Sequence, residues 1–188
     1  MSFLIKFLTF ITIILTITSA KKNDESFVEG VRYRGVKCKI DNQTLELKYC
    51  YVKAYSRKIS LFSLGVKFIN PVEKPIYVQI ISNYQFGSGY REVVNSGRQE
   101  WCSVVEETST NPFMKAVVEV VKDNPVAREL FRQCPYSGDL EINNFSTTSL
   151  KMYDALPAGL YRFDVNVFKD EKMIFTMKIN EEVKKDSN

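Results

Sequence analysis

Four cysteines, Cys38, Cys50, Cys102 and Cys134, are the most reactive side chains in this chain of 188 residues. A thiol can serve as a nucleophile, a metal ligand or half of a disulfide. The chain has no histidine. That removes the usual base of Ser-His-Asp and Cys-His sites and the commonest metal ligand. No pair of cysteines has the close spacing of a zinc site. The hydroxyl-rich stretch "EINNFSTTSL" carries no nucleophile elbow. Glu106 and Glu107 are adjacent, so a strand would splay them to opposite faces, whereas glycosidase chemistry needs two facing carboxylates. Glu46 and Asp164 read as surface charge. The residues therefore point to a protein that is not an enzyme, with no catalytic residues, no metal and no cofactor.

The compartment decides what the cysteines do. The chain opens "MSFLIKFLTFITIILTITSAKK". Lys6 precedes an apolar run from Phe7 to Ile17, and Thr18-Ser19-Ala20 supplies the small residues a signal peptidase reads. Residues 1–20 are expected to be a secretory signal peptide, cleaved after Ala20. The run is shorter than the ~20 residues a spanning helix needs, and "EEVKKDSN" is no lipid-anchor tail. The expectation is a secreted, extracellular protein that is not an integral membrane protein. Residues 21–188 then form a single domain large enough for a real core. In an oxidising compartment an even number of cysteines predicts two disulfides. Counting alone allows three pairings. The preferred map joins Cys38 to Cys50, a local bridge between neighbouring strands, and Cys102 to Cys134, tying a long insertion shut. Two sequons, Asn42-Gln43-Thr44 and Asn144-Phe145-Ser146, mark candidate surface glycosylation sites at Asn42 and Asn144.

The elements that must position these residues are mostly strands. "TLELKYCYVKAY" alternates, with Leu45, Leu47, Tyr49 and Tyr51 on one side and Glu46, Lys48, Cys50 and Val52 on the other. "KISLFSLGVKFIN" sets Phe62, Leu64, Val66 and Phe68 against Leu61, Ser63, Gly65 and Lys67, and Gly65 suggests a bend or bulge. "IYVQIISNYQF" is a further strand. "YREVVNSGRQEWCSVVEE" reads as extended chain leading into Cys102. In "TNPFMKAVVEVVKDNP" the period changes. Asn111 caps a helix and Pro112 fits its first turn, with Phe113, Ala116, Val117, Val120 and Val121 as its apolar stripe. "VARELFRQC" reads as a second short helix with Val126, Leu130 and Phe131 inward. Strand pattern returns in "DLEINNF", "LYRFDVNVF" and "KMIFTMKI". About eight strands and one helical insertion at residues 112–131 predict an all-β, two-sheet sandwich.

Charge excludes one class of partner. There are 26 basic and 22 acidic residues, a formal net charge of +4. They are scattered, without the concentrated footprint of a nucleic-acid-binding surface. Aromatics are abundant instead, with 13 Phe, 10 Tyr and one Trp. Two readings stand open. The rings fill an ordinary core, or some of them line a space between the sheets that admits an apolar ligand. In the second reading the helical stripe closes the mouth of that space, with Phe113, Val117, Val120 and Phe131 as candidate rim.

The order of these segments resembles a known family. "KAYSRKISLFSLGVKF", "PIYVQIISNYQF", "WCSVVEE", a short helix, "CPYSGDLEINNF" and "LPAGLYRF" together resemble the DUF1091 family of secreted insect proteins. That family is itself similar to MD-2-related lipid-recognition proteins and to GM2-activator-like chemosensory proteins. The likeness runs from Cys38 to Ile179. Its densest signatures are Cys134-Pro135-Tyr136 with Gly138, and Leu156-Pro157 with Gly159-Leu160-Tyr161. Arg132-Gln133 before Cys134, and Ser103-Val104-Val105 after Cys102, depart from the family pattern. The resemblance implies a β-sandwich of the MD-2-related type with an apolar pocket between its sheets. It implies binding of a lipid or other small apolar molecule, in a carrier, chemosensory or co-receptor role with an extracellular receptor as a further partner. The competing expectation is a secreted protein-binding module with a filled core.

Overall fold

The computed structural model describes residues 28–56, 59–122, 124–146, 153 and 156–185. The expected signal peptide, residues 1–20, lies outside them. Nine strands form two antiparallel sheets. They are β1 (Val28–Ile40), β2 (Leu45–Ala54), β3 (Ser60–Val72), β4 (Ile76–Phe86), β5 (Gly89–Asn95), the two-residue β6 (Gln99–Glu100), β7 (Tyr136–Phe145), β8 (Gly159–Lys169) and β9 (Lys172–Lys185). The wide sheet has the order β1-β9-β8-β4-β5, with β6 also on β4, and the narrow sheet has the order β2-β3-β7. Between β6 and β7 lie helix α1 (Trp101–Val105), helix α2 (Pro112–Val121) and a 3-10 turn, Arg128–Phe131. The chain is an all-β sandwich with two disulfides, as expected.

Period-two alternation explains most of the facing. Phe62, Leu64 and Val66 of β3 are buried and pack into the core between the sheets. The β2 expectation needs correction. The register slips between Leu47 and Tyr49, so Leu45 and Leu47 face inward but so do Cys50 and Val52, which join the same core. Tyr51 is exposed. A one-residue bulge flips every later side chain to the other face. Gly65 pairs with Tyr49 beside this bulge. A Cβ there would stand 2.5 Å from Tyr49 Cε1, so glycine leaves room for the tyrosine ring to lie across the strand.

The two sheets are fastened along the side where β1 and β2 run together. Cys38 of β1 bonds Cys50 of β2. Farther along, Ser60 Oγ of β3 accepts from the Tyr33 N–H at 2.6 Å and donates to the Tyr33 carbonyl at 3.3 Å. Tyr33 sits beside a register slip in β1, where the ladder leaves these groups for Ser60. At the β1–β2 corner the Asp41 carboxylate accepts from Lys172 at 2.7 Å and the Thr44 hydroxyl at 2.6 Å. Those bonds, Lys172 first, hold its pKa below the usual carboxylate range. Both sequon asparagines are exposed: Asn42 in this corner turn, and Asn144 at a bulge of β7 with φ 58°.

The insertion is helical earlier than expected. The segment before Cys102 is extended only to Glu100, and α1 starts at Trp101. The Glu100 carboxylate supplies the cap, accepting from Cys102 N at 3.2 Å, Ser103 N at 2.6 Å and Ser103 Oγ at 2.6 Å. Burial pushes this carboxyl's pKa up, but the bonds from Ser103 and from backbone N–H groups outweigh it and leave the pKa lowered. Asn111 caps α2 as expected, accepting from Met114 N at 3.0 Å. Cys134 bonds Cys102. Next to it the Tyr136 hydroxyl accepts from Trp101 Nε1 at 3.0 Å and donates to the Leu130 carbonyl at 2.5 Å. Arg132 lies over the Tyr136 ring, 5.2 Å from its centre, and donates to the Ser137 and Asp139 carbonyls. The "CPYSG" stretch is thus a fastening that ties the insertion to the narrow sheet.

Both bridges are local to a sheet boundary, but they close loops of different length, with sequence separations of 12 and 32 residues. Peptide mapping without reduction is expected to recover Cys38 with Cys50 and Cys102 with Cys134. Replacing Cys102 and Cys134 together by alanine should lower unfolding free energy by about 3–4 kcal/mol in urea titration, more than the corresponding Cys38/Cys50 pair.

Candidate ligand-binding interior

The wide sheet has more inner face than three strands can cover. The narrow sheet covers the β1–β9 side, where Phe62, Leu64, Leu140 and Ile142 meet Ile174, Phe175 and Ile179. Over β4 the cover is helical. Val104 of α1 and Met114 and Val118 of α2 are buried together, packed by Ile80, Trp101, Phe113 and Phe131. A third cluster holds Val31, Tyr153, Tyr161 and Val183, with Tyr84, Val121, Phe145, Leu156 and Phe163 around them. It draws on β1, β4, β7, β8, β9, α2 and the β7–β8 connection.

The residues expected at a pocket rim are placed as follows. Phe113 and Phe131 share the helical cluster, and the Phe131 ring lies 5.7 Å from the Trp101 ring. Val117 is half-buried. The side chain of Val120 lies outside the described residues. The expected stripe shifts around the helix, because Ala116 is exposed while Met114 and Val118 face the core. The Cys102–Cys134 bridge and the Asn111 cap set the rotation of α2, and spacing alone does not encode it. A concavity of about 220 Å³ lies beside α2, lined by Val104 and Val118 but also by Glu107, Lys115, Glu119 and Lys122. A larger one, about 440 Å³, opens between the edges of β1 and β2, where Tyr33, Val36, Cys50, Val52 and Ser60 form part of its lining.

The sequence reading also missed a carboxyl of the interior. Glu181 of β9 is 3% exposed. It stands in the same alternating set as Phe175, Ile179 and Val183, all buried, and so projects between the sheets. Its cross-strand neighbours are Tyr33 of β1 and Tyr161 of β8. Its carboxyl accepts a hydrogen bond from the Tyr153 hydroxyl at 2.5 Å. Burial pushes its pKa up to about 7, against a smaller lowering by Tyr153. The phase of "KMIFTMKINEEVKK" carried the signal, since the odd positions from Met173 to Val183 are apolar except Glu181 and its inward facing could have been read from that. Among the described residues no group of acidic or cysteine side chains could hold a metal ion, and no helix is long and apolar enough to cross a membrane.

The model of a family described as "Protein of unknown function (DUF1091)" matches residues 76–163. That stretch runs from the first residue of β4 into β8 and holds the whole helical insertion, the Cys102–Cys134 bridge, β7 and Tyr153. Strands β1–β3, the Cys38–Cys50 bridge and Glu181 lie outside it. No curated protein matches the chain.

Two measurements check this interior. Met114 is fully buried, so Met114→Ala should cost about 2–5 kcal/mol in chemical denaturation, whereas Ala116→Ser on the exposed face should change stability by less than about 0.5 kcal/mol. Glu181 sets a pH dependence. Its ordinary pKa is 4.5 and its folded value is about 7, so between these the unfolded chain gives up a proton that the folded one keeps. The contribution of Glu181 is therefore full below pH 4.5 and should fall by about 3 kcal/mol as pH rises to about 7. Glu181→Gln should flatten the curve over that window, as read by urea midpoints at successive pH values.

Proposed function

We propose that this chain is a secreted, non-enzymatic binding protein for a lipid or other small apolar ligand held between its two sheets. The resemblance to DUF1091 proteins, and through them to MD-2-related lipid-recognition proteins, supports the reading, as does the family model that spans the insertion. The observation that carries it is the mixed cover of the wide sheet. Helices and the Tyr153 side chain, instead of a fourth and fifth facing strand, lie against β4 and β8, beside a carboxyl that an ordinary core would not bury. Such a cover can part from the sheet without breaking a strand ladder. Two disulfides fit an extracellular setting, and the exposure of Asn42 and Asn144 fits their use as glycosylation sites. A receptor that reads the loaded form is a natural partner.

A second reading has its own support. Strand β5 is exposed along its whole length, and Phe86, Tyr90, Val93 and Val94 leave apolar surface in water. An exposed edge of this kind can dock another protein by strand addition. In that case the sandwich is a filled scaffold.

One experiment separates the two. Delipidated protein titrated with a long-chain fatty acid and with a fluorescent apolar probe is expected to show saturable binding near one ligand per chain. Native mass spectrometry of protein purified without delipidation should then show a mass increment of a few hundred daltons. Absence of saturable binding to the delipidated wild type sinks the ligand reading and leaves the protein-binding module as the better account.

A further inference from the structure

The Glu181 carboxyl stands alone among groups that do not want it. Its cross-strand neighbours are Tyr33 and Tyr161, and its hydrogen-bond partner Tyr153 belongs to the apolar cluster of Val31, Tyr161 and Val183, with Phe163 packed against it. A core selected for stability alone would place an apolar side chain here, because a buried carboxyl costs free energy unless its bonds compensate. The other tyrosines of the cluster send their hydroxyls elsewhere. Tyr161 donates to the Pro157 carbonyl at 3.0 Å, and Tyr84 donates to the Ala158 carbonyl at 3.0 Å. Tyr153 alone of these three reaches Glu181. Its ring stands edge-on to Phe163, 6.4 Å between centres, and is 4% exposed. It belongs to none of the nine strands. A phenol that is no part of either sheet therefore lies in an apolar cage with its hydroxyl on a buried carboxyl. That is the way a small ligand would lie.

We propose that Glu181 is the polar anchor of the ligand site, that Tyr153 occupies the site as a built-in surrogate, and that the ligand is a compact apolar molecule ending in a hydroxyl, a phenol or an alcohol. The inference rests on the binding-protein reading above and narrows its ligand class. The ligand's hydroxyl takes the place of the Tyr153 hydroxyl on the carboxyl, and its apolar body takes the place of the ring against Phe163 and Tyr161. Burial that raises the Glu181 pKa to about 7 leaves the group able to accept such a bond on either side of neutrality. A ligand without a donor would leave the carboxyl unpaired, which is the strongest basis a pocket has for refusing an isostere.

The test uses the full mature chain with both disulfides intact and two probes of equal shape, 4-butylphenol and butylbenzene, measured by calorimetry. Wild type is expected to bind 4-butylphenol ~10-fold or more tighter than butylbenzene. Tyr153→Phe keeps the ring but removes the competing hydroxyl, so it should tighten 4-butylphenol and leave butylbenzene unchanged. Glu181→Leu should bring the two probes to equal affinity, while Glu181→Gln, which still offers an acceptor, keeps the preference. Melting curves confirm that each variant is folded before it is titrated. Equal binding of the two probes by wild type, or a preference that survives in Glu181→Leu, overturns the assignment of Glu181 while the broader ligand reading stands. Failure of both probes and of the fatty acid overturns the two together.

Discussion

An apolar sheet face must be covered, and here the covering sheet is too narrow. Four strands, β1, β9, β8 and β4, present apolar side chains on one face of the wide sheet, and water penalises such a face by about 25 cal/mol per Å². Three strands, β2, β3 and β7, reach across only part of it. Against the remainder pack the helices between β6 and β7, with Tyr153 and Leu156. Much of the rest follows from this shortfall. The Cys102–Cys134 bridge and the Trp101–Tyr136–Leu130 hydrogen bonds fasten the helical cover to the narrow sheet. The Cys38–Cys50 bridge and Ser60 fasten the opposite side, where β1 and β2 meet without a ladder between them. Each fastening sits at a boundary between layers, where packing alone leaves the join weakest.

What could be read from the sequence follows the range of the forces involved. Strand period is local, so β3 and β4 were legible as strands, and the inward face of β3 was legible at Phe62, Leu64 and Val66. The cap of α2 was legible because Asn111 and Pro112 act within one turn. The facing of β2 was not, because its bulge answers a demand from another sheet: Cys50 must turn inward to meet Cys38 on β1. Nothing in "TLELKYCYVKAY" records that demand. Helix α1 was missed because its cap is a glutamate, outside the usual capping residues. The rotation of α2 failed for the same reason as β2. Its stripe contains several apolar faces, and the bridge at Cys102 and the position of β4 select Met114 and Val118 among them.

Glu181 is a different case. Its phase on β9 was visible, but no rule of alternation says that a charged residue on the apolar side should be accepted and not read as a slip in register. Local preference and global packing conflict here, and such conflicts concentrate at sites kept for function. The surrounding cluster makes the conflict sharper. Tyr161 and Tyr84 find backbone carbonyls for their hydroxyls, so polar tips are managed with care throughout this end of the sandwich. Leaving a carboxyl in the same place, with a pKa raised to about 7, costs stability that a leucine would not.

The exposed strand β5 looks at first like the stronger candidate for function, since apolar edge strands invite pairing. Its details point the other way. The ladder slips between Ser82 and Asn83, leaving Val93 as an extra residue that twists the edge. Two rings at this hairpin carry cations: Arg91 lies 5.3 Å from the ring centre of Phe86, at the end of β4, and Arg162 lies 4.9 Å from that of Tyr90. A bulge and covering charges are the devices by which natural sheets discourage strand addition. A partner strand would have to displace both arginines and straighten the bulge before gaining its first ladder bonds. A ligand entering beside Glu181 meets a smaller demand, because its hydroxyl replaces the Tyr153 hydroxyl on the carboxyl and one buried bond is exchanged for another. The interior therefore asks a ligand for an exchange of bonds where the edge asks a partner for free energy before any is returned, and this difference favours the proposed apolar-ligand role over the docking module.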